Sequence, residues 1–251
     1  IISLKSLEQL RGNLVNKNRL IIGTILILII LIIFYFKLDI FFISSVFLLL
    51  FYDLIKSKII KINKFFIIIF FYLIFLLIFS YFSLLNLSLI FLYITSIIFS
   101  LITDKYRNYL FVFTVLSNFI FFCLLLDLDR TLIFFIIFIS FLNDTCAYFF
   151  GSYFKGPLIA PLISPNKTWS GTLTSFIISF STLLIFDYSF FFSFIVAVTL
   201  FFGDLYFSFI KRKFLIKDFS NLLLSHGGFL DRFDSILPVT FLFYVYYTYI
   251  I

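Results

Sequence analysis

The stretch YLFVFTVLSNFIFFCLLLDLDRTLIFFIIFISFLNDTCAYFF, residues 109–150, decides the fold. It holds two apolar runs, 109–126 and 131–150, and the only charges between them are Asp127, Asp129 and Arg130. Each run approaches the roughly 20 residues that an α-helix needs to cross the hydrocarbon core of a bilayer. Working outward, seven further runs read the same way: 20–36, 40–52, 65–84, 86–103, 171–186, 188–206 and 236–251. The shortest is 40–52. The expectation is an all-α, polytopic transmembrane bundle of about nine spans.

Composition supports this reading. Hydrophobic residues make up 63% of the chain and charged residues 12%, about half of the roughly 25% charge of a soluble domain. Such a chain cannot cover itself against water, so membrane lipids must be part of its solvent. The run 20–36 follows Lys5, Arg11, Lys17 and Arg19, as a secretory signal would. Lys37, Leu38 and Asp39 offer no small-residue cleavage site and more apolar runs follow, so it is expected to be the first span. No fixed-period repeat is visible, and residues 1–251 are expected to form one polytopic domain.

Positive charge then assigns the sides. With nine spans, 17 of the 19 Lys and Arg residues fall on one side, and only Lys37 and Arg130 on the other. Basic loops face the cytoplasm, which gives an N-in, C-out topology. The site is then expected to face the cytoplasm across an inner, cytoplasmic membrane of a bacterium. Basic loops beside an anionic leaflet also explain the net charge of +7, and no nucleic-acid partner is expected. Cys123 and Cys146 lie in apolar runs and read as small hydrophobes.

The unusual residues are unevenly spread. Six of the eight glycines, the four prolines, Trp169 and His226 all lie beyond residue 150. Residues 1–130 therefore read as scaffold spans and 131–251 as the catalytic half. Two segments of that half carry the polar chemistry. In the first, residues 141–171, Asn143 and Asp144 interrupt a span, where a charge is costly enough to signal function. Ser164 and Lys167 follow in a proline-stiffened loop, where Lys167 beside hydroxyls suits phosphate oxygens. Trp169 reads as an interfacial anchor.

The second segment, residues 203–235, holds Asp204, Asp218, Asp231 and Asp234, four of the chain's eleven aspartates. Lys211, Arg212, Lys217 and Arg232 are interleaved with them. On a helix Asp204, Ser208 and Lys211 share one face, and Gly227 and Gly228 permit close backbone approach to a ligand. Carboxylates for a hard divalent cation, surrounded by fixed cations, suit a polyphosphate with its Mg²⁺.

The run from Ser208 to Asp234 resembles the signature of the phosphatidate cytidylyltransferase (CDP-diacylglycerol synthase) family. That pattern is S-x-apolar-K-R, four residues, K-D, then H-G-G-x-x-D-R-x-D. Ser208, Lys211, Arg212, Lys217, Asp218, Ser220, His226, Gly227, Gly228, Asp231, Arg232 and Asp234 all stand at the matching spacing. Leu224 departs, occupying a place where the family carries Pro, Gly or Ser. The upstream SPNKTWSG, Ser164 to Gly171, and DTCAYFFG, Asp144 to Gly151, are similar to further blocks of the family. The N-terminal half matches only in outline.

The resemblance implies transfer of CMP from CTP to phosphatidic acid, giving CDP-diacylglycerol and pyrophosphate. It implies Asp204 and Asp231 as first metal ligands, with Asp218 and Asp234 as ligands or their supports. Mg²⁺ is the expected cofactor, and a second cation is left open. Lys211, Arg212, Lys217 and Arg232 would hold phosphate, with Ser208, Gly227 and Gly228 beside them and His226 orienting a phosphate or capping the glycine turn. Asp144, Ser164 and Lys167 would complete the site. Monomer and homodimer are both open. Two other readings compete: a CTP-dependent polyisoprenoid or dolichol-type lipid kinase, for which His226 would be an indispensable base, and a membrane transporter using Asp144 and Asp204.

Overall fold

The structure is a computed structural model, and it describes residue 32 and residues 35–81, 85–223 and 227–250. The expected first span, 20–36, lies almost wholly outside them, as do Leu224 and His226. The chain forms two compact units, one of residues 1–57 and 218–231, the other of residues 58–217 and 232–251.

Every other expected span is a helix. They are α1 (Asp39–Lys56), α2 (Ile62–Tyr81), α3 (Leu85–Ile102), α4 (Arg107–Leu128), α5 (Arg130–Phe154), α6 (Trp169–Ile185), α7 (Phe190–Lys213) and α9 (Ile236–Tyr249), with a short α8 (Leu230–Phe233) before the last. Among the described residues α3, α4, α5 and α7 are long and apolar enough to cross a membrane. The chain is thus a mainly α-helical membrane protein.

The turns between helices follow from local chemistry. Asp129 caps α5 by accepting from the Thr131 amide at 2.8 Å, and Ser189 caps α7 through the Phe192 amide at 3.4 Å. These bonds satisfy amides that a helix start leaves without partners. Lys155 ends α5 in the left-handed region, at φ 47.

Inside the larger unit, α5 packs on α6, α3 on α4, and α9 on α4 and α7. Apolar burial gains little where lipid is the alternative solvent, so close packing and interhelical hydrogen bonds must hold such helices together. Both are present. Gly171 of α6 lies so close to Ala147 and Gly151 of α5 that an added Cβ would strike the Ala147 carbonyl. Ser175 and Ser179 continue the same buried face of α6. Elsewhere Ser96 bonds Thr114 at 2.9 Å, Tyr72 bonds Ser117 at 3.0 Å, and Ser100 bonds Tyr206 at 2.9 Å. Phe111, Phe121, Leu125, Ile133, Leu200 and Phe243 fill the space between these seams. Exposed Phe99, Phe138, Ile177 and Phe191 are the lipid-facing surface that composition demanded.

One element was not expected. The 158–168 stretch forms an antiparallel hairpin, β1 (Leu158–Ala160) and β2 (Ser164–Thr168), pairing Leu158 with Thr168 and Ala160 with Ser164. Pro157, Pro161 and Pro165 disfavour helix here, and a two-stranded ribbon tolerates proline because each strand has an unpaired edge. Thr168 then caps α6 by accepting from the Gly171 amide.

In the smaller unit, α1 buries a stripe made of Phe42, Val46, Leu50, Asp53 and Leu54. The 218–231 segment completes this unit, and its hydrogen bonds centre on Asp53.

Candidate active site

The larger unit gathers charges around α7. Asp204 forms an ion pair with Lys167, which lies near the end of β2, and the two side chains are 26% and 23% exposed. A pair this open can exchange its partner for a ligand, yet is shielded enough that its charges are not fully screened. The Lys167 ammonium also lies 5.6 Å from the centre of the Phe201 ring, again on α7. One turn after Asp204, the Ser208 hydroxyl donates to its Oδ1 at 3.4 Å. Lys211 is buried a turn later. The expected common face of Asp204, Ser208 and Lys211 is therefore realised.

Asp234 enters this field from the start of α9. A Cβ on Gly203 would lie 3.0 Å from Pro238 and 3.1 Å from the Asp234 carbonyl, so the missing side chain lets this segment press against α7 beside Asp204. The Asp234 side chain is buried, and Oδ1 accepts from the Ser235 amide at 2.9 Å. Burial raises its pKa well above the ordinary carboxylate range, the charge of Asp204 raises it further, and Lys211 opposes them. Asp144 of α5 belongs to the same field, with Asp204, Lys167 and Arg232 acting on it. Asp144, Lys167, Asp204, Ser208, Lys211, Arg232 and Asp234 are thus brought together as one group.

Other expected residues have different surroundings. Arg212 donates from Nε to the Ile163 carbonyl at 3.1 Å and from Nη1 to the Ile216 carbonyl at 3.2 Å. It ties the hairpin tip to the end of α7. Ser164 starts β2 opposite Ala160, Trp169 is half-exposed at the start of α6, and Lys217 is exposed. A cavity of about 530 Å³ adjoins Gly203, lined by apolar side chains that include Ile97, Leu101, Phe202, Pro238 and Phe241.

In the smaller unit two carboxylates hold the chain's own backbone. Asp231 Oδ2 accepts from the Phe219 amide at 3.0 Å and the Gly228 amide at 2.8 Å. Asp53 Oδ1 accepts from the Ser220 hydroxyl, and its Oδ2 from the Leu230 amide, both at 2.6 Å. Each aspartate joins the incoming leg of the 218–231 loop to the outgoing one. Hydrogen bonds to a charged group contribute about 1.5–3 kcal/mol each, and a buried carboxylate without them would be strongly unfavourable. The glycines make room. Gly227 sits at φ 80, where only glycine is unstrained, and a Cβ on Gly228 would stand 2.5 Å from Asp53 Oδ2.

Sequence reasoning missed Asp53. The available signal was one acidic residue on the otherwise apolar stripe Phe42, Val46, Leu50, Leu54, a placement that demands partners.

The donor chemistry fits a hard divalent cation in kind. Asp144, Asp204 and Asp234 supply carboxylate oxygens, and their mutual repulsion is what such an ion offsets. Among the described residues no three His, Cys, Asp or Glu side chains already form a cage, so ligand carboxylates would have to draw in around the ion.

The helices and this charged group define an integral membrane protein with an ion-paired polar site set among apolar helices. The chain belongs to the cytidylyltransferase family, whose model matches residues 17–250. It is 38% identical over 135 residues to the phosphatidate cytidylyltransferase of Rickettsia conorii, covering 47% of this chain and 59% of that protein. It is 40% identical over 134 residues to that of Rickettsia felis, covering 46% and 59%. For Aquifex aeolicus the figures are 38% over 109 residues, covering 41% and 42%. The matched stretches thus span roughly half of each relative's length.

Proposed function

We propose that the chain transfers CMP from CTP to phosphatidic acid, releasing pyrophosphate and leaving CDP-diacylglycerol. The observation that carries this reading is the group around Asp204, where carboxylates and fixed cations, some buried and some partly open, share one field beside an apolar cavity. A lipid whose head is a phosphate and whose tail is acyl chain needs both. The cavity at Gly203 takes part of an acyl chain, while Lys167, Lys211 and Arg232 hold phosphate oxygens of the two substrates.

A phosphate oxygen of the lipid attacks the α-phosphorus of CTP, and the bond from that phosphorus to the bridging oxygen of the β-phosphate breaks. The lipid phosphate has a second pKa near neutrality and can arrive deprotonated, so no strong general base is required. The protein's task is to position two anions and to neutralise their repulsion. Lys167 supports this best, because its pairing with Asp204 can be exchanged for pairing with a phosphate. Of the carboxylates expected as ligands, Asp204 and Asp234 would hold Mg²⁺ together with Asp144, a second cation is left open, and Asp231 is engaged instead by the Phe219 and Gly228 amides. Bound Mg²⁺ supplies charge neutralisation to the triphosphate. We further read the helices as eight of nine spans, N-in and C-out, in a bacterial inner membrane with the site facing the cytoplasm.

Incubating the purified protein with α-labelled CTP and phosphatidic acid is the test. Label in the lipid product is expected. Label left wholly in CDP, with phosphate on an added polyisoprenoid alcohol, would replace this reading with a lipid kinase.

A further inference from the structure

We propose that Asp53 is a positioning residue for this transfer, an inference that rests on the function proposed above. It lies on α1, 167 residues from Ser220 and 177 from Leu230, yet it bonds both legs of the signature loop. Its side chain is fully buried, and it contacts the loop where Gly228 leaves no room for a Cβ. Ser220 Oγ passes the constraint on by accepting from the Leu222 amide at 3.2 Å. With Asp231 bridging Phe219 and Gly228, the loop is braced twice, and Asp53 is the brace anchored outside the loop. It acts through shape: without it the two legs separate, and Asp231 and the paired glycines lose their places.

Hydrogen bonding and charge can be told apart. Asn at this position can accept from the Leu230 amide and donate to Ser220 Oγ, which is free to rotate and accept. A brace therefore survives Asp53→Asn and not Asp53→Ala. Asp53→Ala is expected to lower turnover about tenfold or more and to raise KM for CTP, while KM for phosphatidic acid stays within about twofold. Asp53→Asn should recover turnover to within about threefold of the parent. If Asp53→Ala does not accumulate as folded protein, Ser220→Ala, which removes one bond of the brace, should show the same pattern at smaller size. Amide hydrogen exchange across residues 218–231 gives a readout independent of activity. Exchange should rise in the Ala variant and stay at the parental rate in the Asn variant. Parental exchange and turnover in Asp53→Ala would overturn the brace, and equal damage from Asn and Ala would assign Asp53 a role through its charge. A parent that transfers no CMP would instead defeat the transferase reading, leaving the exchange result to decide the brace.

Discussion

The two units use the same side chain in opposite ways. Around α7, Asp204 faces Lys167 and lies in one field with Asp144 and Asp234, with about a quarter of its side chain open to solvent. In the smaller unit, Asp231 Oδ2 and both oxygens of Asp53 accept from amides and a hydroxyl of the chain itself. A carboxylate paired with a side-chain cation can trade that partner for a ligand at little cost. One that holds backbone amides cannot, because the amides would then be left unsatisfied. The first group is thus suited to meeting substrate and the second to fixing the shape of a loop.

Substitution can break this comparison. The largest effect is expected at Asp204. Asp204→Asn keeps the size and removes the charge, and should lower turnover about a hundredfold, as loss of a main electrostatic element does. Its thermal midpoint in detergent should stay near the parent's, since the residue braces no backbone. Asp231→Asn should differ in kind: a loss of about tenfold, together with faster hydrogen exchange across 218–231. If Asp204→Asn raised exchange in that loop, or Asp231→Asn left it unchanged, the division between the two groups would fail.

Next in size is Lys167. Lys167→Met keeps an extended apolar stem but loses the ammonium, and should lower kcat/KM about tenfold in initial-rate assays. Parental rates would mean that Lys167 serves only to hold Asp204.

How far the sequence allowed these roles to be read differs between the two groups. The helices at eight expected positions followed from the apolar runs, and among the described residues α3, α4, α5 and α7 also reach the length that bilayer thickness sets. The shared face of Asp204, Ser208 and Lys211 followed from helical period. The hairpin at 158–168 did not, since its register depends on where three prolines allow an edge. Asp53 was illegible for a different reason. Its partners lie more than 160 residues along the chain, and only the folded loop reveals why an aspartate stands on that apolar stripe. Arg212 illustrates the converse: the signature supplies its residue type, but its Nε and Nη1 bonds go to carbonyls of the chain.

The smallest expected effect concerns Leu224, where the chain departs from the family pattern. Proline there would remove one amide hydrogen and restrict the preceding residue towards extended backbone. The loop's bonds, however, use the amides of Phe219, Leu222, Leu223, Gly228 and Leu230. The braces at Asp53 and Asp231 are thus made by donors outside position 224. Leu224→Pro should therefore keep turnover within about a few-fold of the parent, since it leaves the donors of both braces in place. The decisive measurement pairs initial rates with hydrogen exchange across 218–231. A collapse of activity with unchanged exchange would place a substrate contact at this position. A collapse with fast exchange would mean that Leu223 cannot take the extended backbone that a following proline favours, and that the brace is only part of what shapes the loop.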